Sequence, residues 1–374
     1  MTDKNNEKKT RTKMNYDREK YIYGSAWLSA VEASAPGADR FRAAAACRDA
    51  SEAQRILFGD RVGSGADAAG GSGADSEQLL SETLKKCYSD LDAAAPDPAL
   101  FGLLRYPYDC HNLKTVLKTV LRRNDPAEDG ENVPSQAKAA GSRTAREIGE
   151  ECAPLLLELG TVEGEKAVRA VLEGDYSLFP EKLAEAAAEA RTEFSKSRDP
   201  QLLDSLLDRG CYAAMAEAAE HSGIPFLGEY VSVKADTVNF LTALRVVRRY
   251  PEPLRTPQIE AAFVPGGTIA VSLLSDAAAG EAQLAEEALI ALSEKSALAP
   301  LKLGVGMALG DIERDAEKYI LSLADRAAKE ELYGGAPLVR YVLFSEAAVR
   351  NARIVLSGVS ASIGADAILS RLRI

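Results

Sequence analysis

Histidine is almost absent from this chain of 374 residues. There are two, His111 and His221, too few for a histidine-built metal site. Tryptophan occurs once and aromatic residues make up 6% of the chain, with no run of alternating β-branched residues beside them, so a sheet is not encoded. The five cysteines, Cys47, Cys87, Cys110, Cys152 and Cys211, never stand as C-x-x-C, which excludes zinc ribbons and thioredoxin-like motifs. Their odd, scattered count reads as reduced thiols of a cytosolic protein. No apolar run reaches the ~18 residues of a membrane span. The polar, cationic start MTDKNNEKKTRTKMNYDREK has no apolar segment of the kind a secretory signal needs. The expectation is a soluble protein without direct membrane insertion. Basic residues are the minority charge, 45 against 56 acidic for a net charge of −11, which argues against a nucleic-acid partner.

Reactive constellations are missing as well. The glycine-rich stretch from Gly59 to Gly73 has neither the G-K-[ST] of a phosphate-binding loop nor G-x-G-x-x-G. Pro265-Gly266-Gly267-Thr268 reads as a turn in which Thr268 caps a helix starting near Ile269. Cys110 and His111 are neighbours on a helix, where adjacent side chains point about 100° apart, and there is no G-x-S-x-G elbow. Glu150-Glu151 and Glu286-Glu287 read as solvated helix faces, and so does the Asp311/Asp315 pair. The expectation is no catalytic residue, no metal and no cofactor.

What the chain does have is helix-forming composition, 46% hydrophobic and 27% charged, rich in alanine, leucine, glutamate and arginine. The fold class expected is all-α. A first helix is predicted over about Tyr16 to Ala33, ended by Pro36-Gly37, and a second over Ala38 to Leu57. Residues 59–75 and 124–142 are too polar or glycine-rich, and too long, for tight helix connections and read as flexible loops. A break is predicted at Arg249-Tyr250-Pro251-Glu252-Pro253.

Three helical segments align without gaps around an asparagine: Asn112-LKTVLKTV, Asn239-FLTALRVV and Asn351-ARIVLSGV. After each asparagine the same i, i+3, i+4, i+7 stripe follows: Leu113, Val116, Leu117, Val120; Phe240, Ala243, Leu244, Val247; Ala352, Val355, Leu356, Val359. The asparagines are 127 and 112 residues apart, and each follows a tyrosine-bearing helix at Tyr88, Tyr212 or Tyr319. Three copies of one helical module follow, over residues 1–140, 141–258 and 259–374. The asparagines are expected to be structural, bonding nearby backbone groups at a helix start. Cations cluster on these helices: Lys114, Lys118 and Arg122 spaced four apart, then Arg245, Arg248 and Arg249, with Arg350 and Arg353 on the third. Two readings stand side by side, complementation of the helix dipole and a surface for an acidic partner.

At YDCHNLKTVLK, Tyr108 to Lys118, the chain resembles the C-type subunits of V-type ATPases, a prokaryotic family corresponding to the eukaryotic d-type subunits, with Cys110 where the family has an aromatic. LLDRGCYAAM, DTVNFLTALRVVR, FVPGGTI and PLVRYVLFSEAAVRNARIVLSGV follow in the family's order, and YIYGSAWLSAVE resembles its opening helix. Ser345-Glu346-Ala347 departs from the family, which has a lysine and acidic residues there. The resemblance implies three similar helical domains in a pseudo-threefold funnel. It also implies a non-catalytic rotor part seated between the membrane proteolipid ring and the central-stalk subunits D and F, cytoplasmic and peripheral to the cell membrane. The basic residues Lys114, Lys118, Arg122, Arg245, Arg248 and Arg249 are then candidates for stalk binding. The alternative is a helical scaffold or adaptor of another complex.

Overall fold

Within the residues described by the computed structural model, 17–33, 35–59, 73–122 and 145–373, every regular element is a helix. Residues 1–16 of the cationic start, the body of the 59–75 loop, the 124–142 loop and Arg123 lie outside these residues. The first helix α1 spans Ile22–Glu32, preceded by a 3-10 turn over Arg18–Tyr21. The second predicted helix is two, α2 (Ala38–Ala45) and α3 (Ala50–Phe58), because Asp49 takes an extended conformation and accepts the Ser51 N–H at 3.0 Å as an N-cap. Helix α4 (Gly73–Ala94) begins inside the stretch read as loop and leads through a 3-10 helix, Pro98–Leu104, into α5 (Tyr106–Arg122).

After α5 come α6 (Ala145–Cys152), α7 (Gly164–Glu173) and α8 (Glu181–Ser197). The pair α9 (Pro200–Ser222) and α10 (Pro225–Arg249) turns at Gly223, whose φ of 71° suits glycine. Pro200 sits at the first turn of α9, with Asp199 capping the Gln201 N–H at 2.8 Å. The predicted proline break holds: α10 ends at Arg249 and α11 (Glu252–Ala262) starts after Pro251. Then follow α12 (Val271–Ala277), α13 (Ala282–Ser293), the long pair α14 (Leu309–Glu330) and α15 (Gly335–Ser360), and α16 (Ala365–Leu369).

The three asparagine-bearing helices α5, α10 and α15 pack by one rule. Each lies against the tyrosine-bearing helix of another segment: α5 on α9, α10 on α14, and α15 on α4. These contacts run in a closed cycle, with α9–α10 and α14–α15 also paired as hairpins. The predicted apolar stripes face inward, all buried except half-buried Val120. Each fully buried leucine or valine among them contributes about 2 kcal/mol on burial.

One core cluster runs from Tyr21 through Leu343 across all three helices. A second joins the two ends of the chain: Phe41, Ala44 and Leu57 from α2 and α3 meet Val355, Val359, Ile368 and Leu372 from α15 and beyond. The third asparagine helix is thus flanked by helices from the start of the sequence, whereas α10 is flanked by α11, α12 and α13, which follow it.

Candidate partner-docking surface

Asn112, Asn239 and Asn351 sit inside their helices and reach far along the chain. Each side-chain amide pairs with both backbone groups of one residue, like one rung of a sheet. Asn112 donates to the Leu157 carbonyl at 2.8 Å and accepts the Leu157 N–H at 2.8 Å. Asn239 does the same with Val264, at 2.8 and 2.9 Å. Asn351 accepts the Arg373 N–H at 2.9 Å, with its donor bond to the Arg373 carbonyl at 3.5 Å. All three asparagines are buried, so an extended segment that would leave two backbone groups unpaired is satisfied without a strand.

Two copies add a carboxylate one turn earlier. Asp109 accepts the Thr161 N–H and the Val162 N–H, both at 3.1 Å, and the Thr161 hydroxyl at 2.6 Å. Asp236 accepts the Thr268 N–H at 2.8 Å, the Ile269 N–H at 3.1 Å and the Thr268 hydroxyl at 2.5 Å. Thr268 therefore does not cap a helix at Ile269. Its hydroxyl is committed to Asp236, and α12 begins only at Val271. A glycine precedes each threonine for a steric reason, since a Cβ on Gly160 or Gly267 would lie 2.3 or 2.1 Å from the facing carboxylate oxygen. Burial holds the Asp109 carboxyl above its usual range, partly offset by the Thr161 and Val162 bonds. The third copy has Ala348 where the others have aspartate.

The seams between helices carry ion pairs. Lys114 bonds Asp208 at 2.6 Å and Lys118 bonds Asp204 at 2.6 Å, both joining α5 to α9. Arg326 of α14 meets Glu229 of α10 at 3.2 Å, and Arg353 of α15 meets Glu77 of α4 at 2.5 Å. Arg248 forks onto Glu286 at 3.1 and 2.7 Å. The cations singled out from the sequence therefore divide. Lys114, Lys118 and Arg248 neutralise acids of this same chain, Arg245 and Arg249 face outward, with the Arg249 guanidinium 5.7 Å from the Tyr250 ring, and the Arg122 side chain lies outside the described part.

Where α4, α5, α10, α14 and α15 approach one another, two cavities of about 340 and 90 Å³ share Glu346 and Arg350 in their walls. Glu346 accepts the hydroxyls of Tyr108 at 2.6 Å and Tyr88 at 2.7 Å, the two rings meeting edge to face. Burial, with the Glu346 charge next, raises both phenols far above their usual range. Across the smaller cavity, Lys234 of α10 donates to the Tyr230 hydroxyl at 3.2 Å and lies 5.2 Å from its ring. Burial alone would lower the Lys234 ammonium, but Tyr230, Tyr212 and Glu346 raise it above its ordinary value. Lys234 and Glu346 both stand five residues before their asparagine. The walls of the two cavities together thus include all three asparagine helices, and Glu346 ties α15 to α4 and α5.

Sequence pattern pointed to the asparagines but not to Asp109, Asp236 and their glycine–threonine partners. The signal was present: Asp-x-x-Asn occurs at 109–112 and 236–239, and Gly-Thr followed by a β-branched residue occurs at 160–162 and 267–269. Among the described residues, no group of three or more histidine, cysteine, aspartate or glutamate side chains is placed to hold a metal ion. No helix among them is long and apolar enough to cross a membrane.

The fold and these contacts define an all-helical protein in which three asparagine helices each hold a distant backbone segment. A model of the ATP synthase (C/AC39) subunit family matches residues 26–371, nearly the whole chain. The protein belongs to that family, the C/d-type non-catalytic subunits of V/A-type rotary ATPases. A comparison with curated proteins finds no match.

Proposed function

We propose that this protein is the central rotor subunit of a prokaryotic V/A-type rotary ATPase, a socket between the membrane proteolipid ring and central-stalk subunits D and F. It transmits torque between ATP chemistry in the catalytic head and ion translocation at the ring. In this reading it is cytoplasmic and peripheral to the membrane, held there by its partners. The observation that carries the proposal is the closed cycle of α5 on α9, α10 on α14 and α15 on α4, with two cavities between these helices that meet at Glu346 and Arg350. A part that transmits torque has to resist shear between its modules, and ion pairs at each of these seams serve that end. The modules proposed are 1–140, 141–258 and 259–374, with α2 and α3 lying on the third asparagine helix.

Tagged protein purified from gently solubilised membranes is expected to bring stalk subunits and proteolipid in fixed stoichiometry. Recovery with unrelated soluble partners would favour the adaptor reading instead. Within the socket reading, Arg245 and Arg249 are the candidate cations still open to an acidic stalk surface. Reversing both to glutamate should weaken stalk capture at least tenfold and lessen its salt dependence, while Lys118→Glu should act through stability because its partner is Asp204. Unchanged capture by a folded Arg245/Arg249 variant would remove these two residues from the interface.

A further inference from the structure

The seam between α5 and α9 holds, besides its ion pairs, two of the five thiols. Cys110 of α5 and Cys211 of α9 are both buried at 3% exposure, and the ion pairs Lys118–Asp204 and Lys114–Asp208 run in an antiparallel register that brings Cys110, one turn further along, opposite Cys211. A second contact fixes the same juxtaposition. The Cys110 thiol donates to Asp208 Oδ1 at 3.8 Å, and Asp208 lies three residues before Cys211, on the same face of α9. Asp208 also accepts Lys114, one turn beyond Cys110, so the Cys110 thiol and the ion pair share one carboxylate oxygen. Cys47, by contrast, is partly exposed and stands just past the end of α2, bonded to the Ala43 carbonyl.

We propose that Cys110 and Cys211 are the two halves of a latent disulfide that staples α5 to α9. The reaction is exchange with a low-molecular-weight disulfide such as oxidised glutathione. One cysteine thiolate attacks it and releases the first glutathione thiol; the second cysteine attacks the mixed disulfide and releases the second. The two electrons and two protons lost by the cysteines appear on the two glutathione thiols. The neighbouring Cys211 and burial raise the Cys110 thiol well above its usual range, and both thiols are buried while the seam is closed. Opening of the Lys114–Asp208 clasp exposes both thiols together, and the staple forms on reclosure. Once formed, it ties two long helices that otherwise meet through packing and two ion pairs.

The test uses the reduced full-length protein incubated with oxidised glutathione, followed by unreduced peptide mapping. Conversion of partly exposed Cys47 to its glutathione adduct shows that the reagent has acted. The expected result is a linked peptide pair carrying Cys110 and Cys211, formed several-fold faster in Lys114→Met. The linked protein should melt several degrees higher, a rise absent from Cys211→Ser. Recovery of Cys110 and Cys211 as free thiols, as separate adducts or joined to other cysteines, after Cys47 is fully converted in both proteins, would overturn the proposal.

Discussion

The second and third asparagine helices are built alike but held differently. On α10, Asn239 and Asp236 together bind the strip from Val264 to Ile269, and the backbone donors of its Thr268-Ile269 corner both point at the Asp236 carboxylate. On α15, Asn351 holds Arg373 alone, through one good bond and one long one, and Ala348 stands in place of the aspartate. The third helix compensates with charge: Glu317 of α14 receives both Arg350 and Arg373. It is also covered by α1, α2 and α3 from the other end of the sequence. The same helix seat can therefore be fixed by a buried backbone clamp or by ion pairs and borrowed packing. The clamp is built on two buried acceptors, Asp236 and Asn239, whereas the Arg350–Glu317 pair is partly exposed.

Removing the carboxylate from a complete clamp should have the largest effect. Asp236→Ala leaves two backbone N–H groups and a hydroxyl without their acceptor, at a cost on the order of 4 kcal/mol, read as a shift in urea unfolding midpoint. A loss under about 1 kcal/mol would mean that the strip relaxes to solvent and the clamp is not rigid. Next comes the asparagine itself. Asn239→Ala should cost about 3 kcal/mol and Asn351→Ala about 1 kcal/mol, since only the former abandons two short buried bonds. Equal losses at the two sites would erase the distinction between them.

A pH titration probes a link found on α10 alone, because the positions equivalent to Arg248 on the other two helices are Leu121 and Ser360. Glu286 is held below its ordinary value near 4.5, chiefly by the Arg248 fork, with the Gly306 N–H at 2.6 Å helping. A lowered carboxylate stabilises the fold while ionised. That contribution is complete above the ordinary value and is lost as pH falls through the lowered one. Glu286→Gln should therefore be less stable than the parent at pH 7, and the gap should close as pH falls through the lowered value. A gap independent of pH would assign the effect to packing. The smallest change is expected from Ala348→Asp, which restores the aspartate to the third copy. No glycine–threonine corner faces it among the described residues, so stability should move by no more than about 0.5 kcal/mol.

Much of this was readable in advance, for identifiable reasons. The stripes after Asn112, Asn239 and Asn351 repeat at helical spacing, and spacing alone decides which face of a helix is buried. The proline break after Arg249 was readable because proline's lost N–H is a local property. The split between α2 and α3 was not, since an aspartate in a run of good helix formers becomes a cap only when its neighbours pack at an angle. The basic stripe of α5 invited a reading as a partner surface because Lys114 and Lys118 have no acid at helical spacing on their own helix. Their acids are Asp208 and Asp204, far along the chain.

The sequence by itself determined the helical class, the threefold recurrence of the asparagine helix and the family, because these rest on periodicity, composition and ordered motifs. Tertiary structure alone decided what the asparagines hold. Their partners lie 45, 25 and 22 residues away, and no local pattern encodes such separations. It also decided which cations stay outward, and it brought Tyr88 and Tyr108 to Glu346, which stands between two cavities with Lys234 in the wall of the smaller. Those outcomes depend on which surfaces bury together, and burial is a property of the folded whole.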